Sequence, residues 1–474
     1  MMEMKKRIIL SLVLLSYFIT AIDGSIVITG LTHIAGDLRL NHEELSWVQN
    51  AYLLSFGGFM LMGGGLGDAF GRKRMFNLSL ILFGIGSLGA GMAETAGMMI
   101  AARFVQGLGS AVLAPTSLAL IMDYFEGNER TKAVAWYGSM SGLGLCVGLI
   151  VGGAITSYAS WRDGFLVNIP IIAVMLWLSV KWLSGSRMTK ARFDVKGTLF
   201  SVSGIFCLLY AIDGAKDTVV WVAAGTVLLS MFILAEGKSD LPIMPLRLFH
   251  DADRRNAYIA RALIVGALMG FNFFISEFMQ NVFRFTPLMA GCAFFPVTVT
   301  TFIGAVKVPS LVARHGNKRV LALGLSLLSI GFCCLLPLGR YDNYFTHIAL
   351  PMLFVGLGNG LSMSPLTNLG ISGVSHKDAG AASGLVNVVH QLGGAFGLSL
   401  MVAASGGLTD MAARCHTGMW IALGCTVLAL LVSCMPALIR HIIKPLYNGK
   451  SKVKQWHRNA HFRLRCLSNN ARKV

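Results

Sequence analysis

The sequence predicts an all-α polytopic membrane protein of about fourteen transmembrane helices. Of its 474 residues 55% are hydrophobic and only 13% charged, whereas a soluble domain is nearer 45–50% apolar and about 25% charged. Apolar runs of roughly 20 residues, enough to span a ~30 Å hydrocarbon core, recur from end to end. None alternates with the period of two that a β-barrel needs. Disulfide-stapled secreted scaffolds, disordered chains and ordinary soluble enzymes are thereby excluded.

The runs fall at about 7–30, 44–66, 75–93, 97–121, 132–156, 164–183, 197–214, 218–235, 259–283, 288–312, 319–338, 345–370, 379–402 and 418–440. The first follows Lys5-Lys6-Arg7 but is too long for a signal peptide, lacks a small-residue cleavage site and precedes many more spans, so it reads as a retained helix. The fifth carries Gly144, Gly148, Gly152 and Gly153 at a small-residue spacing that permits close helix approach. In the tenth, Lys307 lies toward the cytoplasmic side and reads as snorkelling. Seven of the nine cysteines fall inside these runs, Cys415 in an external loop and Cys466 in the tail, with no metal-ligand spacing.

Lys and Arg exceed Asp and Glu by 18. With the N-terminus cytoplasmic, about 32 basic residues lie beside cytoplasmic segments against about 6 outside, as the positive-inside rule requires. Both termini are therefore expected in the cytoplasm, and the charge calls for no nucleic-acid partner. From Met411 onward there is no Asp or Glu, while basic residues crowd the end; a solvated tail or one resting on anionic lipid both fit.

The chain also repeats itself. Gly64-Gly65-Leu66-Gly67-Asp68-Ala69-Phe70-Gly71-Arg72-Lys73-Arg74 after the second run is echoed after the tenth by Pro309 to Arg319, with Ala313 where the first copy has Asp68. Gly107-Leu108-Gly109 recurs as Gly356-Leu357-Gly358. Duplicated bundles are common in transporters, and the matches divide the chain into a six-helix bundle at 1–183, an extra pair with linkers at 184–258, a second six-helix bundle at 259–440 and a basic tail at 441–474.

Asp23, Arg103 and Glu277 fall inside predicted helices, where a charge costs at least ~2.5 kcal/mol and usually faces a pathway or a partner. At 1.5 Å per residue, Asp23 lies about 6 Å outside the middle of its helix, and Arg103 and Glu277 about 9 Å outside theirs. At one shared depth, a carboxylate for which proton and substrate compete is antiport in its simplest form; a structural hydrogen-bonding role for Asp23 and a rim carboxylate at Glu277 are the bland readings. His390, near the middle of the thirteenth run, is either a titrating group or a satisfied core histidine. Tyr52, Phe273, Phe274 and Asn387 are cavity candidates on the core helices.

The loop from Gly64 to Arg74 resembles the signature of the major facilitator superfamily, and further segments are similar to its fourteen-spanner drug:proton antiporters. These are Ile22-Asp23-Gly24-Ser25-Ile26-Val27, Trp47 with Ala51-Tyr52, Arg103 to Gly109, Trp161-Arg162 with Asn168-Ile169-Pro170, Phe193-Asp194 with Gly197, and Pro245 to Phe249. The resemblance implies two six-helix bundles plus two extra central helices. It implies proton-coupled export of amphipathic or cationic drugs, with Gly64, Asp68, Gly71, Arg72 and Lys73 as a conformational latch. Ala69, Leu149 in place of the fifth helix's Pro, and His390 in place of Arg depart from the pattern. They keep open a transporter for one dedicated metabolite, lipid or siderophore. A polytopic membrane enzyme is the remote alternative, because no phosphate loop, metal cluster or catalytic constellation is visible. No cofactor and no metal are expected. The expected partners are a small amphipathic substrate, protons and the bilayer, and the short loops lean toward a bacterial inner (plasma) membrane.

Overall fold

The computed structural model describes residues 2–185, 194–239, 242, 244–339, 343–375 and 378–434. The basic tail at 441–474 with its expected lipid contact, Cys466 and Phe193 lie outside the described residues. The described chain is helical, and fourteen stretches are long and apolar enough to cross a membrane. The chain is a multi-pass membrane protein.

The first half comprises α1 (Met2–Leu38), α2 (His42–Phe70), α3 (Arg72–Gly91), α4 (Ala96–Tyr124), α5 (Gly127–Tyr158), and the sixth span broken at Val167 into α6 (Trp161–Leu166) and α7 (Asn168–Trp182). The extra pair is α8 (Val195–Ile212) and α9 (Thr218–Lys238). The second half comprises α10 (Ala252–Asn281), α11 (Pro287–Ala293) and α12 (Phe295–His315), α13 (Asn317–Leu335), α14 (Leu350–Ile371) and α15 (Ala379–Ser405), closed by α16 (Met411–Cys434). That last helix begins earlier than its apolar run, so Cys415, expected in a loop, is buried within it.

Local chemistry sets the helix ends. Asn41 caps α2 with a reciprocal box, its side chain accepting from the Glu44 amide at 2.7 Å while the Glu44 carboxylate accepts from the Asn41 amide at 2.9 Å. Thr95, Ser160, Asp194, Asp251 and Thr286 cap later helices in the simpler way. The turns that follow α2 and α12 are made by Gly71 at φ 93° and Gly316 at φ 79°, a backbone conformation that disfavours a side chain.

Helix pairing repeats between the halves. In the first, α2 packs on α4, α1 on α5 and α3 on α4; in the second, α12 packs on α14, α10 on α15 and α13 on α14. These are the same pairings under the duplication. Two helix seams join the bundles, α2 with α15 and α5 with α11. The extra helices are central in sequence but peripheral in space: α8 leans on α2 and α15, and α9 packs on α8, with only Gly225, Phe232 and Glu236 of α9 buried.

One hydrophobic core fills the first bundle, and another runs from the second bundle into Val27, Ile28, Leu31, Ile34, Leu45 and Val48 at the ends of α1 and α2 away from Gly71. The bundles are therefore continuous at the face opposite the Gly64–Arg74 loop. Hydrogen bonds between them, among the described residues, lie in that far half: the Ser276 hydroxyl donates to the Ile28 carbonyl at 2.6 Å, Asn50 Nδ2 to Ser399 Oγ at 2.8 Å, and the Leu288 amide to Ser157 Oγ at 2.9 Å.

Candidate functional site

Asp23 on α1 is fully buried and forms an ion pair with Arg103 of α4, itself 1% exposed. Its other oxygen accepts from Gln106 Nε2 at 2.9 Å and from Asn168 Nδ2 at 3.1 Å, and both donors also reach Ser87 Oγ, at 2.7 and 3.1 Å. Arg103 in turn donates to the Val48 carbonyl at 3.0 Å and to Gln106 Oε1 at 2.7 Å, with its guanidinium 4.5 Å from the centre of the Tyr52 ring. The result is a polar knot joining α1, α2, α3, α4 and α7 inside one bundle, in which every charge has an opposite charge or a donor. Gln106 follows Arg103 by three residues and so shares its helix face. Ser87 carried no signal in the sequence.

Glu277 does not join this knot, although it lies at a similar depth. It lies 3.7 Å from His42 Nδ1, pairing the far end of α10 with the first residue of α2 across the bundle boundary. The pair is nearly sealed, at 8% and 10% side-chain exposure. Both nitrogens of His42 and Oε2 of Glu277 lack a hydrogen-bond partner. Phe273 and Phe274 lie edge-on to the His42 ring at 5.5 and 5.6 Å. These two phenylalanines and Tyr52 are buried packing groups. Asn387 alone among the cavity candidates is exposed. His390 is partly buried on α15, with Nδ1 unpartnered.

The motif expected as a loop is two helix ends, α2 through Phe70 and α3 from Arg72, joined at Gly71, and its residues form a brace. Arg72 donates to Asp68 Oδ1 at 3.0 Å, to the Ala119 carbonyl at 2.9 Å and to Asp123, tying the end of α2 to α4. Lys73 reaches the Val180 carbonyl of α7 at 2.9 Å. Gly64 opens the motif two turns earlier, with Pro115 of α4 the nearest neighbour of its face. In the second copy, where Ala313 replaces the acid, Lys318 takes both oxygens of Asp253 on α10 at 2.8 Å instead.

The glycines of α5 divide their work. A Cβ on Gly144, Gly148 or Gly152 would meet Ala21, Ser25 or Ile26 of α1 at 2.6, 2.7 and 2.8 Å. Gly153 instead faces the other bundle, where a Cβ would sit 2.6 Å from the Pro287 carbonyl. Leu149, which stands where the antiporter pattern has Pro, lies with its carbonyl against Gly291 of α11.

Sequence reasoning missed three features. His42 sits just outside the run that begins near 44, and Arg261, two residues into the run that begins near 259, was not singled out. Asp213 at the end of α8 accepts from Ser399 at 3.1 Å and so joins the chain that begins at Asn50.

Two halves that repeat the same helix pairings and meet along paired seams, with an ion pair buried in one and an acid–histidine contact between them, define a polytopic helical membrane protein. The chain belongs to the Major Facilitator Superfamily, whose family model matches residues 13–398. It is 32% identical over 444 residues to the cephamycin export protein of Amycolatopsis lactamdurans, covering 90% of this chain and 91% of that one. It is also 32% identical over 412 residues to the puromycin resistance protein of Streptomyces alboniger, covering 84% and 82%. Among solved structures, a nucleoside transporter superposes with a TM-score of 0.65 at 12% identity, over 91% of this chain and 98% of that one, a likeness of fold alone.

Proposed function

We propose that this chain is a proton-coupled exporter of amphipathic small molecules that works by alternating access in a bacterial cytoplasmic membrane, with the Gly71 face and both termini in the cytoplasm. The observation that carries the export reading is similarity along nearly the whole chain to proteins named for antibiotic export and resistance. The asymmetry of Lys and Arg supports the orientation.

On this reading the structure is a state closed to the outside. Opening it must separate His42 from Glu277, because the contact spans the two bundles. Their unsatisfied atoms then meet water, and the pair can exchange a proton with the external medium each cycle. The Asp23–Arg103 knot has the other task, holding α1, α4 and α7 as one rigid body so that the rocking motion is transmitted whole. The Arg72 brace does the same at the cytoplasmic end.

Energised inverted vesicles containing the parent should take up an amphipathic dye while consuming the proton gradient. Glu277→Gln should bind dye and fail to consume the gradient. A folded parent that moves no member of a broad panel of dyes and antibiotics and draws no protons would overturn the export reading in favour of a dedicated substrate.

A further inference from the structure

Arg261 on α10 is a buried cation with no counter-ion among the described residues. It is 8% exposed, and among the described residues no carboxylate lies within ion-pairing distance. One guanidinium nitrogen donates to Thr367 Oγ1 at 2.9 Å and, at the long limit of 3.5 Å, to the Met363 carbonyl, while Nε has no partner. Arg103, buried as deeply in the first bundle, has an acid. A charge inside a membrane-spanning helix without such compensation is costly and marks a pathway or a ligand.

Further unsatisfied atoms lie nearby. His390 on the adjacent α15 is within electrostatic reach of Arg261, and its Nδ1 is an orphan. Asn359 stands on the same face of α14 as Met363 and Thr367, four and eight residues before them, and its Oδ1 is also unpartnered. Seven residues before Arg261, two turns back toward the cytoplasmic end of α10, Arg254 repeats the theme: 8% exposed, outside every ion pair among the described residues, with Nε unpartnered. Tyr17 of α1 is within electrostatic reach of Arg261, so the guanidinium stands near the boundary between the bundles. Tyr17 brings no negative charge at neutral pH.

We infer that Arg261, with Thr367 and His390 beside it, is the docking point for an anionic oxygen group, carboxylate or phosphate, on an amphipathic ligand, and that Arg254 is a station on its way from the cytoplasm. The inference deepens the export reading by giving the cargo a charge, and it reverses the expectation of a cation. A planar guanidinium holding a carboxylate in two charge-assisted hydrogen bonds is the strongest polar recognition available to such a site. The source of the group is either a small-molecule acid or the headgroup of an anionic lipid.

The test is equilibrium dialysis of radiolabelled cholate, and of its neutral methyl ester, against the purified protein in phosphatidylcholine nanodiscs, with empty nanodiscs subtracted. Binding requires no transport, so a failed export assay and a failed binding assay are separate results. The parent should hold cholate roughly tenfold or more tighter than the ester, the scale of one hydrogen bond to a charge. Arg261→Gln keeps donors for α14 but removes the charge and should abolish that preference, whereas Arg261→Lys should keep part of it. Both variants should elute as the parent does on size exclusion, and the ester, which lacks the charge, checks that the Gln variant still holds the uncharged steroid as the parent does. Exchange into nanodiscs with phosphatidylglycerol separates the sources: displacement of cholate from the parent assigns the site to a lipid headgroup, and undiminished binding assigns it to a small-molecule acid. Equal binding of acid and ester by the parent, no binding of either, or a preference that survives in Arg261→Gln would overturn the inference.

Discussion

Asp23 and Glu277 are both buried acids at a similar depth, yet their surroundings give them different work. Asp23 has two amide donors besides its ion pair, so removing its charge strands Arg103 in a site it cannot leave. Breaking a buried pair from one side typically costs about 3–5 kcal/mol. Asp23→Asn should therefore lower the thermal midpoint of the purified protein sharply, and the double variant with Arg103→Gln should recover part of the loss. If Asp23→Asn alone unfolds at the parent's temperature, the knot is not a structural tie. Glu277→Gln, whose one ion-pair contact among the described residues is the long one to His42, should leave the midpoint within about 1 kcal/mol of the parent, in the range of a single weak ion pair. The sequence revealed the existence of both acids because charges in apolar runs are rare. It did not reveal their partners: Gln106 shares a helix face with Arg103 by spacing, whereas Asn168 and His42 reach their acids, and Ser87 reaches the two amides that hold Asp23, only through helix packing that no single-helix pattern encodes.

Helices show the same division between what a pattern states and what a neighbour decides. The glycine spacing of α5 announced a close approach, and Gly144, Gly148 and Gly152 make it with α1. That Gly153 makes it with the other bundle was invisible. Gly148→Ala should cost about 1–3 kcal/mol of stability through overpacking. Gly153→Ala should instead hinder closure of the far face and raise the labelling rate of a cysteine placed at Ser157 by an impermeant maleimide; unchanged labelling would show that the seam has slack. The extra pair is held at its outer end by Asp213. Burial, opposed by the Ser399 hydrogen bond and reinforced by the Glu43 carboxylate, lifts that carboxyl from the ordinary 3.8 to about 7. With the folded value above the unfolded one, this group's stabilising contribution is complete below 3.8 and is lost as pH rises through about 7. Asp213→Asn should flatten the fall in thermal midpoint between pH 4 and 7, and an unaltered slope would contradict the assignment.

At the scale of the whole molecule, the two halves repeat the same helix pairings while their charges diverge. The first copy of the loop draws its acids from α2 and α4, the second from α10; the duplication was readable from Leu, Gly and the basic pair, but the substitute acid was not. Fourteen spans and their order were legible because bilayer thickness dictates run length. The placement of α8 and α9 at the edge of the α2–α15 seam was not, since both read only as apolar helices. On the proposed function, the far face opens as the His42–Glu277 contact parts, and that event carries the coupled proton. The most direct measurement is proton flux in proteoliposomes that contain only this protein, with a lumenal pH dye and an imposed gradient. Addition of a transported amphiphile should accelerate dissipation of the gradient in the parent, and Glu277→Gln should abolish the acceleration while still binding the amphiphile. Amphiphile movement with no change in proton flux, or full coupling in Glu277→Gln, would contradict the account.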